Sequence, residues 1–459
     1  MPGLISFAIR ACMSVVDKTI SPADWLSRNA TDRPPAPALI YGDLCLSHKD
    51  LFDQALLRAR HIQGAGYIHV MKAEDPLETA LAFHAAPQAG SAFLPLDPHM
   101  DKDRHQAFMK NVVPARPFDI SPPDPSAVHL IIATSGTSGL PKGVMLSGRN
   151  LAAAAQASRH RLGLIPEDRW LACLPLFHIG GLSILSRCVE AGATAVLQDG
   201  FDVQTVLAAM DNHAITHLSL VPTMLHRVLE ELGNTPPPGR LKRVLVGGAA
   251  VSATLAHRAR HAGWPICPTY GMSETASQLT TLPHLPHDWA DGHVGSPLDG
   301  FEIALENNRI KVRGEAVMHG YINPQRTAGA GLTDGWYITG DLAHQSPDGD
   351  LHIIGRADDA FNVGGETIHP ATVERRLSQC PDIKEIAITA RADPEWGQRL
   401  IAVYTGTAHA NDVRIYADQH LKGPYRPADI LKQSELPRNA MGKLDRQRLK
   451  ERVISAKPV

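Results

Sequence analysis

The segment Thr134-Ser135-Gly136-Thr137-Ser138-Gly139-Leu140-Pro141-Lys142-Gly143 restricts what this chain can be more than any other stretch in it. A run of glycines and hydroxyl residues has little to bury. It brings close-packed backbone N–H groups, side-chain donors and one ammonium to a single place, which is what a polyphosphate needs. The run follows directly on the aliphatic, β-branched stretch 127–133, which reads as a buried strand, so the loop is delivered from the end of a sheet, where α/β proteins hold ligands. It does not match G-x-x-x-x-G-K-[ST]. A bare Ser-Gly-Thr triplet would mark only a turn between a strand and a helix; the whole string directly behind a strand argues for a phosphate-binding loop.

A chain of 459 residues exceeds a single ordinary core, so two or more domains are expected. Short aliphatic runs at 217–221 and 241–246 alternate with helical stretches at 223–232 and 252–260, which predicts an α/β fold. After Asp341 the pattern becomes a hairpin, with its turn at Asp348-Gly349 and a second strand at 351–354. A compact α/β stretch then runs on, so the expected domains are a large one at 1–354 and a small one at 355–459. A net charge of -2 with 20% charged residues gives no field for a polyanion, and neither nucleic acid nor membrane is expected as a partner. No run approaches the roughly 18 apolar residues that would span a bilayer. The apolar stretch 4–15 is interrupted by Arg10 and lacks a basic leader, so it does not read as a signal peptide, and Met13 is an alternative start. Six scattered cysteines (Cys12, Cys45, Cys173, Cys188, Cys267 and Cys380) form no C-x-x-C pair and read as reduced, buried thiols of a cytoplasmic protein. His284, His287 and His293, the first two each preceded by a proline (Pro283 and Pro286), read as loop residues rather than a metal site.

Four further strings carry polar chemistry: Thr269-Tyr270-Gly271-Met272-Ser273-Glu274-Thr275, Thr339-Gly340-Asp341 with Gly355-Arg356, Leu174-Pro175-Leu176-Phe177-His178-Ile179-Gly180-Gly181, and Pro437-Arg438-Asn439-Ala440-Met441-Gly442-Lys443. Taken singly they read as a strand end with a helix cap, a surface ion pair, a core histidine and a solvated tail. Their order behind the loop gives them another meaning. The set resembles the signatures of the adenylate-forming superfamily of acyl- and aryl-CoA ligases, peptide-synthetase adenylation domains and luciferases, from about residue 130 to Lys443 and more weakly over 90–98.

That resemblance implies a large N-terminal domain of layered α/β subdomains, a small mobile α+β C-terminal domain, and ATP, Mg²⁺ and coenzyme A as reactants. It implies ATP and AMP contacts from Thr134, Ser135, Gly136, Thr137, Ser138, Lys142, Gly248, Ala249, Thr269, Tyr270, Gly271, Asp341, Ile353 and Arg356. Glu274 would hold the metal as a hard oxygen ligand. Ser273 stands where the family usually has Thr, and keeps the hydroxyl. Lys443 would bridge the carboxylate and the α-phosphate, two anions whose approach needs a cation between them. Asp358 stands at the family's hinge, and Gly364, Gly365 and Glu366 would line the approach of the CoA thiol, with Asn362-Val363 replacing the more usual Lys-Ser.

The string around His178 has the acyl- and aryl-CoA ligase form and offers no Asp for an amino group, which disfavours an α-amino acid. Together with 219–225 and 273–278 it looks most like the o-succinylbenzoate-CoA ligases, whose substrate has a second carboxylate in need of a cation. The residues expected at the acid are His178, Gly181, Ser219, Thr223, Arg227, Gly248, Met272 and Ser277, with Arg227 the candidate cation. Alternatives are a medium-chain fatty acyl-CoA ligase, an enzyme loading a separate phosphopantetheinyl carrier protein, and a nucleotide sensor without turnover. A homodimer is a further alternative to a monomer.

Overall fold

A computed structural model describes residues 21–62, 64, 67–112, 126–134, 141–233, 235–323, 329–438 and 444–455. Its largest sheet has eight strands, in the order Ser277–Thr281, Ile266–Met272, Arg243–Val246, His217–Leu220, Arg169–Ala172, Thr194–Leu197, Pro37–Tyr41 and Leu44–Ser47. The six inner strands pair in parallel and each edge closes with an antiparallel partner. The chain reverses its direction of winding between Arg169–Ala172 and His217–Leu220, which are neighbours in space though Thr194–Leu197 lies between them in sequence. Such a switch opens a crevice at the carboxyl ends of the two strands. The segment carrying His178 and the helix carrying Thr223 both start there.

A second sheet contains Ile68–Lys72, Ala92–Leu96, Val128–Thr134, Lys142–Ser147 and Gly320–Tyr321. The expected strand before the glycine-rich loop is present as Val128–Thr134, but no helix follows the loop. Lys142–Ser147 runs back antiparallel, with Thr134 opposite Lys142. The alternation Val144, Met145, Leu146 is buried throughout, so both faces of this return strand are covered and no helical period appears.

Helices Gly148–Leu162 and Ile179–Ala191 are sandwiched between these two sheets, where Leu130, Ile132 and Val144 on one side and Trp170 and Ala172 on the other share one core with Leu151, Leu182 and Leu185. Each such large side chain contributes about 1.5–3 kcal/mol by leaving water. Ser147 caps the first helix reciprocally with Asn150, and Gly163 ends it at φ 69°. The second helix is apolar on nearly every side, as a helix between two sheets must be. A third, antiparallel sheet of His293–Gly295, Leu351–Arg356, Tyr337–Gln345, Arg309–Gly314 and Phe301–Glu306 contains the hairpin expected after Asp341. His293 therefore lies in a strand rather than a loop; its Nε2 is 2.7 Å from Asp350 and its ring stacks on His352, which stacks in turn on His344.

The smaller C-terminal unit packs helices Pro370–Leu377, Ala410–His420 and Arg446–Ser455 against the sheet of Ile383–Asp393, Gly397–Gly406 and Asp429–Lys432 around its own core. Fold and order match the expected large α/β domain followed by a small α+β domain. Lys384–Glu230 at 2.9 Å and Arg375–Asp291 at 3.8 Å join the two parts. The exposed Lys384–Glu230 pair is worth about 0–1 kcal/mol. Cys173, Cys188, Cys267 and Cys380 are buried free thiols as expected, whereas Cys45 is exposed on the edge strand Leu44–Ser47; Cys12 and Met13 lie outside the described residues. Among the described residues no helix is long and apolar enough to cross a membrane.

His84 is buried in the helix Pro76–Gln88, and burial lowers its pKa from 6.5 to about 3. The folded chain thus holds it neutral while the unfolded chain protonates it near pH 6.5. The associated stability is whole above that pH and is lost as pH falls towards about 3, at about 1.4 kcal/mol per pH unit for one proton. Urea unfolding of His84→Leu at pH 7, 5.5 and 4.5 is expected to show a pH slope shallower than wild type by about one proton; equal slopes would assign the acid sensitivity elsewhere.

Candidate active site

The site forms where the first and third sheets meet. Tyr270, near the end of Ile266–Met272, donates its hydroxyl to Asp341 Oδ2 at 2.7 Å. Arg356 faces Asp341 directly across the hairpin and its guanidinium reaches Asp341 Oδ1 at 3.3 Å and Asp358 Oδ2 at 3.0 Å. Gly340 leaves the Arg356 guanidinium its place, since a Cβ there would stand 2.5 Å from it and push it aside. Burial, reinforced by the Asp341 charge, pushes the Tyr270 phenol well above its usual pKa, so it stays a donor. The half-buried Asp341 therefore has an acceptor face held in one orientation, suited to a vicinal diol. Ile353 is half-buried beside it, its N–H bonded to the Gly292 carbonyl at 2.8 Å.

Ser273, Glu274 and Thr275 form a single 3-10 turn between Ile266–Met272 and Ser277–Thr281. Tyr321 donates its hydroxyl to Glu274 Oε1 at 2.7 Å and lies 3.3 Å from the Tyr337 hydroxyl. Lys142 sits over the Tyr321 ring, its Nζ 4.9 Å from the centroid. One tyrosine thus links the acid of one motif to the ammonium of another. Burial and the Glu274 charge raise the Tyr321 phenol far above its usual range, which keeps its proton in place. Among the described residues no group of three or more His, Cys, Asp or Glu could cage a metal. A lone carboxylate such as Glu274 fits Mg²⁺, which takes most of its ligands from phosphates and water.

Thr134 accompanies Lys142 at the neck of the loop, its Oγ1 donating to the Lys142 carbonyl at 3.2 Å. Ser135, Gly136, Thr137 and Ser138, expected at the phosphates, lie outside the described residues, as does Lys443. The chain on either side of the latter is closed by a bridge between Arg438 and Leu444. Gly248, at φ 78°, and Ala249 are exposed at the carboxyl end of Arg243–Val246. Thr269 is turned inward instead, its hydroxyl bonded to the Thr280 carbonyl at 2.7 Å and the Thr281 hydroxyl at 2.8 Å.

The acid-site candidates divide into two groups. His178 is the N-cap of Ile179–Ala191 and packs on Phe177, with ring centroids 4.4 Å apart. Gly181 has no room for a side chain, since a Cβ would meet the Pro175 carbonyl oxygen at 2.5 Å. Gly271 is under the same constraint from the Ser277 carbonyl oxygen at 1.7 Å, and Ala276 and Ser277 take φ 49° and 111° to make that crossing. Holding non-glycine residues there costs on the order of 1–3 kcal/mol each. The strained turn aims the Ser277 hydroxyl at Ser183 Oγ, 3.2 Å away, and at Arg187, whose guanidinium donates to it at 2.9 Å. Met272 and Thr223 are half-buried, whereas Arg227 is exposed on Pro222–Leu232.

Arg187 was not among the sequence candidates. It is 3% exposed, lies on the sandwiched helix, and lines a small pocket with Ser183, Ser186, Ala154, Ala155 and Ala276. Its contacts among the described residues are the Ser277 hydroxyl and the Trp170 ring, with no carboxylate. Burial lowers its pKa from 12.5 to about 9, so it remains a cation at neutral pH. An isolated buried charge is costly unless an anion meets it. The sequence signal was an arginine inside an apolar helix whose every face is covered.

In the C-terminal unit Phe361–Val363 and Glu366–Ile368 form a hairpin closed by Gly364 and Gly365, at φ 59° and 85°. A two-residue turn with both φ values positive favours glycine whatever passes nearby. Glu366 is exposed beside them.

The profile of the AMP-binding enzyme family matches residues 111–322, and that of the AMP-binding enzyme C-terminal domain matches 372–443. A 2-succinylbenzoate–CoA ligase of Bacillus pumilus is 36% identical over 70% of this chain and 68% of its own length. That of Bacillus subtilis is 31% identical over 93% and 97%. The o-succinylbenzoate CoA synthetase of Bacillus subtilis, solved in complex with its acyl-adenylate intermediate, superposes with a TM-score of 0.82 at 30% identity, over 93% of this chain and 97% of that one.

Proposed function

This chain belongs to the AMP-binding, adenylate-forming enzyme family as an AMP-forming acid–thiol ligase, and from that premise we propose that its acid is an aryl dicarboxylate such as o-succinylbenzoate and its acceptor coenzyme A. The observation that carries the acid is Arg187, a buried cation with no carboxylate partner among the described residues, lining a small pocket with Ser183, Ser186, Ala154, Ala155 and Ala276. One carboxylate of the substrate pairs with Arg187 and the other reaches the nucleotide. The names of the relatives support the same acid.

In the first half-reaction a carboxylate oxygen attacks the α-phosphorus of ATP, giving acyl-AMP and pyrophosphate. Thr134, Ser135, Gly136, Thr137, Ser138 and Lys142 hold the phosphates. Asp341 accepts from the ribose hydroxyls, held in place by Tyr270 and Arg356. Glu274, steadied by Tyr321, would hold Mg²⁺, which when bound offsets phosphate charge. Lys443 lies between the two anions in the transition state. In the second half-reaction the CoA thiol attacks the acyl carbonyl and AMP leaves, after the small domain has turned about Asp358, withdrawn Lys443 and brought up Gly364, Gly365 and Glu366. The weak, exposed Lys384–Glu230 pair joining the domains is compatible with such a turn. The buried free thiols Cys173, Cys188, Cys267 and Cys380 support a cytoplasmic enzyme.

Pyrophosphate release measured across acids with CoA present tests the reading. o-Succinylbenzoate is expected to give a kcat/KM at least about tenfold above benzoate and octanoate, since a buried polar site rejects substrates that leave it unpaired. A preference for octanoate would favour a fatty acyl-CoA ligase. Turnover only with a holo-carrier protein in place of CoA would move the acceptor assignment.

A further inference from the structure

Arg187 cannot reach solvent and makes no ion pair among the described residues, yet a cation that selects a carboxylate must be held in one orientation. Its one hydroxyl contact, Ser277, fixes one edge of the guanidinium at 2.9 Å. The rest of its setting is Trp170, whose ring centroid lies 5.2 Å from the Arg187 Cζ. Trp170 is fully buried on Arg169–Ala172, one of the two strands flanking the switch point, and is itself fixed from two sides. Its indole N–H donates to Ser219 Oγ at 3.1 Å, and its ring packs against the imidazole of His217, with centroids 5.1 Å apart. Behind His217 stands the buried Asp168 carboxylate at 4.0 Å, paired with Lys242 at 2.7 Å. Burial holds His217 well below its ordinary pKa, so the indole has one cation beside it, not two.

We propose that Trp170 is a positioning residue for acid selection: its π face seats the Arg187 guanidinium, and its indole N–H, bonded to Ser219, fixes that face. The inference rests on the reading that Arg187 receives the second carboxylate. It also gives Ser219, a candidate for direct contact with the acid, a second task, since its oxygen accepts from the indole N–H. A ring that served only to fill the core would affect all acids alike when shortened. A seat for Arg187 affects the dicarboxylate above all.

The test compares wild type, Trp170→Phe and Trp170→Leu with o-succinylbenzoate and with 4-oxo-4-phenylbutanoate, the same acid without its ring carboxylate. A desolvated cation–π contact is strongest on indole, weaker on benzene and absent on an alkyl chain. KM for o-succinylbenzoate is expected to rise about threefold in Trp170→Phe and about 10- to 30-fold in Trp170→Leu, with kcat changed far less. The ratio of kcat/KM between the two acids is expected to fall in the same order. Should the leucine variant not fold, the phenylalanine variant decides, a fall in its ratio supporting the seat. A ratio kept at the wild-type value in the folded variants, with losses shared by both acids, would overturn it. If wild type itself fails to turn over o-succinylbenzoate, the acid assignment falls and this inference with it. Normal wild-type turnover with unaltered discrimination in the variants removes the inference alone.

Discussion

Replacing Arg187 with methionine is expected to lower kcat/KM for o-succinylbenzoate by about 10²- to 10³-fold without lowering the thermal stability of the chain. Removing one partner of a desolvated charge pair costs about 2–5 kcal/mol in binding, and each 1.4 kcal/mol is tenfold. The free enzyme is affected in the opposite sense. Its guanidinium is 3% exposed and has no counter-ion among the described residues, so an apolar side chain of similar length relieves an unpaired buried charge. Steady-state kinetics and thermal melting on one preparation check both halves. Loss of activity together with a large loss of stability would make Arg187 structural, and unaltered kinetics would place the second carboxylate elsewhere.

Lys443→Ala is expected to reduce acid-dependent exchange of labelled pyrophosphate into ATP by about 10²- to 10³-fold, as removal of a preorganised donor to developing charge does elsewhere. The thioester-forming step is expected to respond differently. If the small domain turns about Asp358 and carries the lysine away, synthetic acyl-AMP and CoA should still give thioester at a rate within about tenfold of wild type, because no pentacoordinate phosphorus forms in that step. Equal losses in both steps would argue against alternation. Near-normal exchange would remove the lysine from the adenylation step.

Much of this molecule was legible in the sequence because the relevant patterns are local. The strand before the glycine-rich loop, the hairpin after Asp341 and the parallel strands near 217 and 243 announce themselves by β-branched runs ending in Gly or Pro. The pairing of Asp341 with Arg356 follows from a hairpin register that their spacing predicts. What stayed hidden depends on contacts between distant segments. The return strand Lys142–Ser147 is a strand only because its neighbours cover both faces. His293 leaves the loop expected for it because Asp350 and His352 stand across the sheet. The link from Tyr321 to Glu274 and Lys142 joins three motifs that share no sequence spacing. The sequence offers Arg227 as the cation for the acid, and it proves to be exposed, whereas Arg187 is buried. The better signal was the apolar character of the helix around Arg187, in which a charge has no route to water.

The account rests on adenylation of an aryl dicarboxylate, and exchange of labelled pyrophosphate into ATP with o-succinylbenzoate as the only added acid and no CoA tests it most directly. The account predicts exchange that saturates with o-succinylbenzoate and is lost when the acid or Mg²⁺ is left out. No exchange above the acid-free background, in protein that still binds ATP, would contradict it.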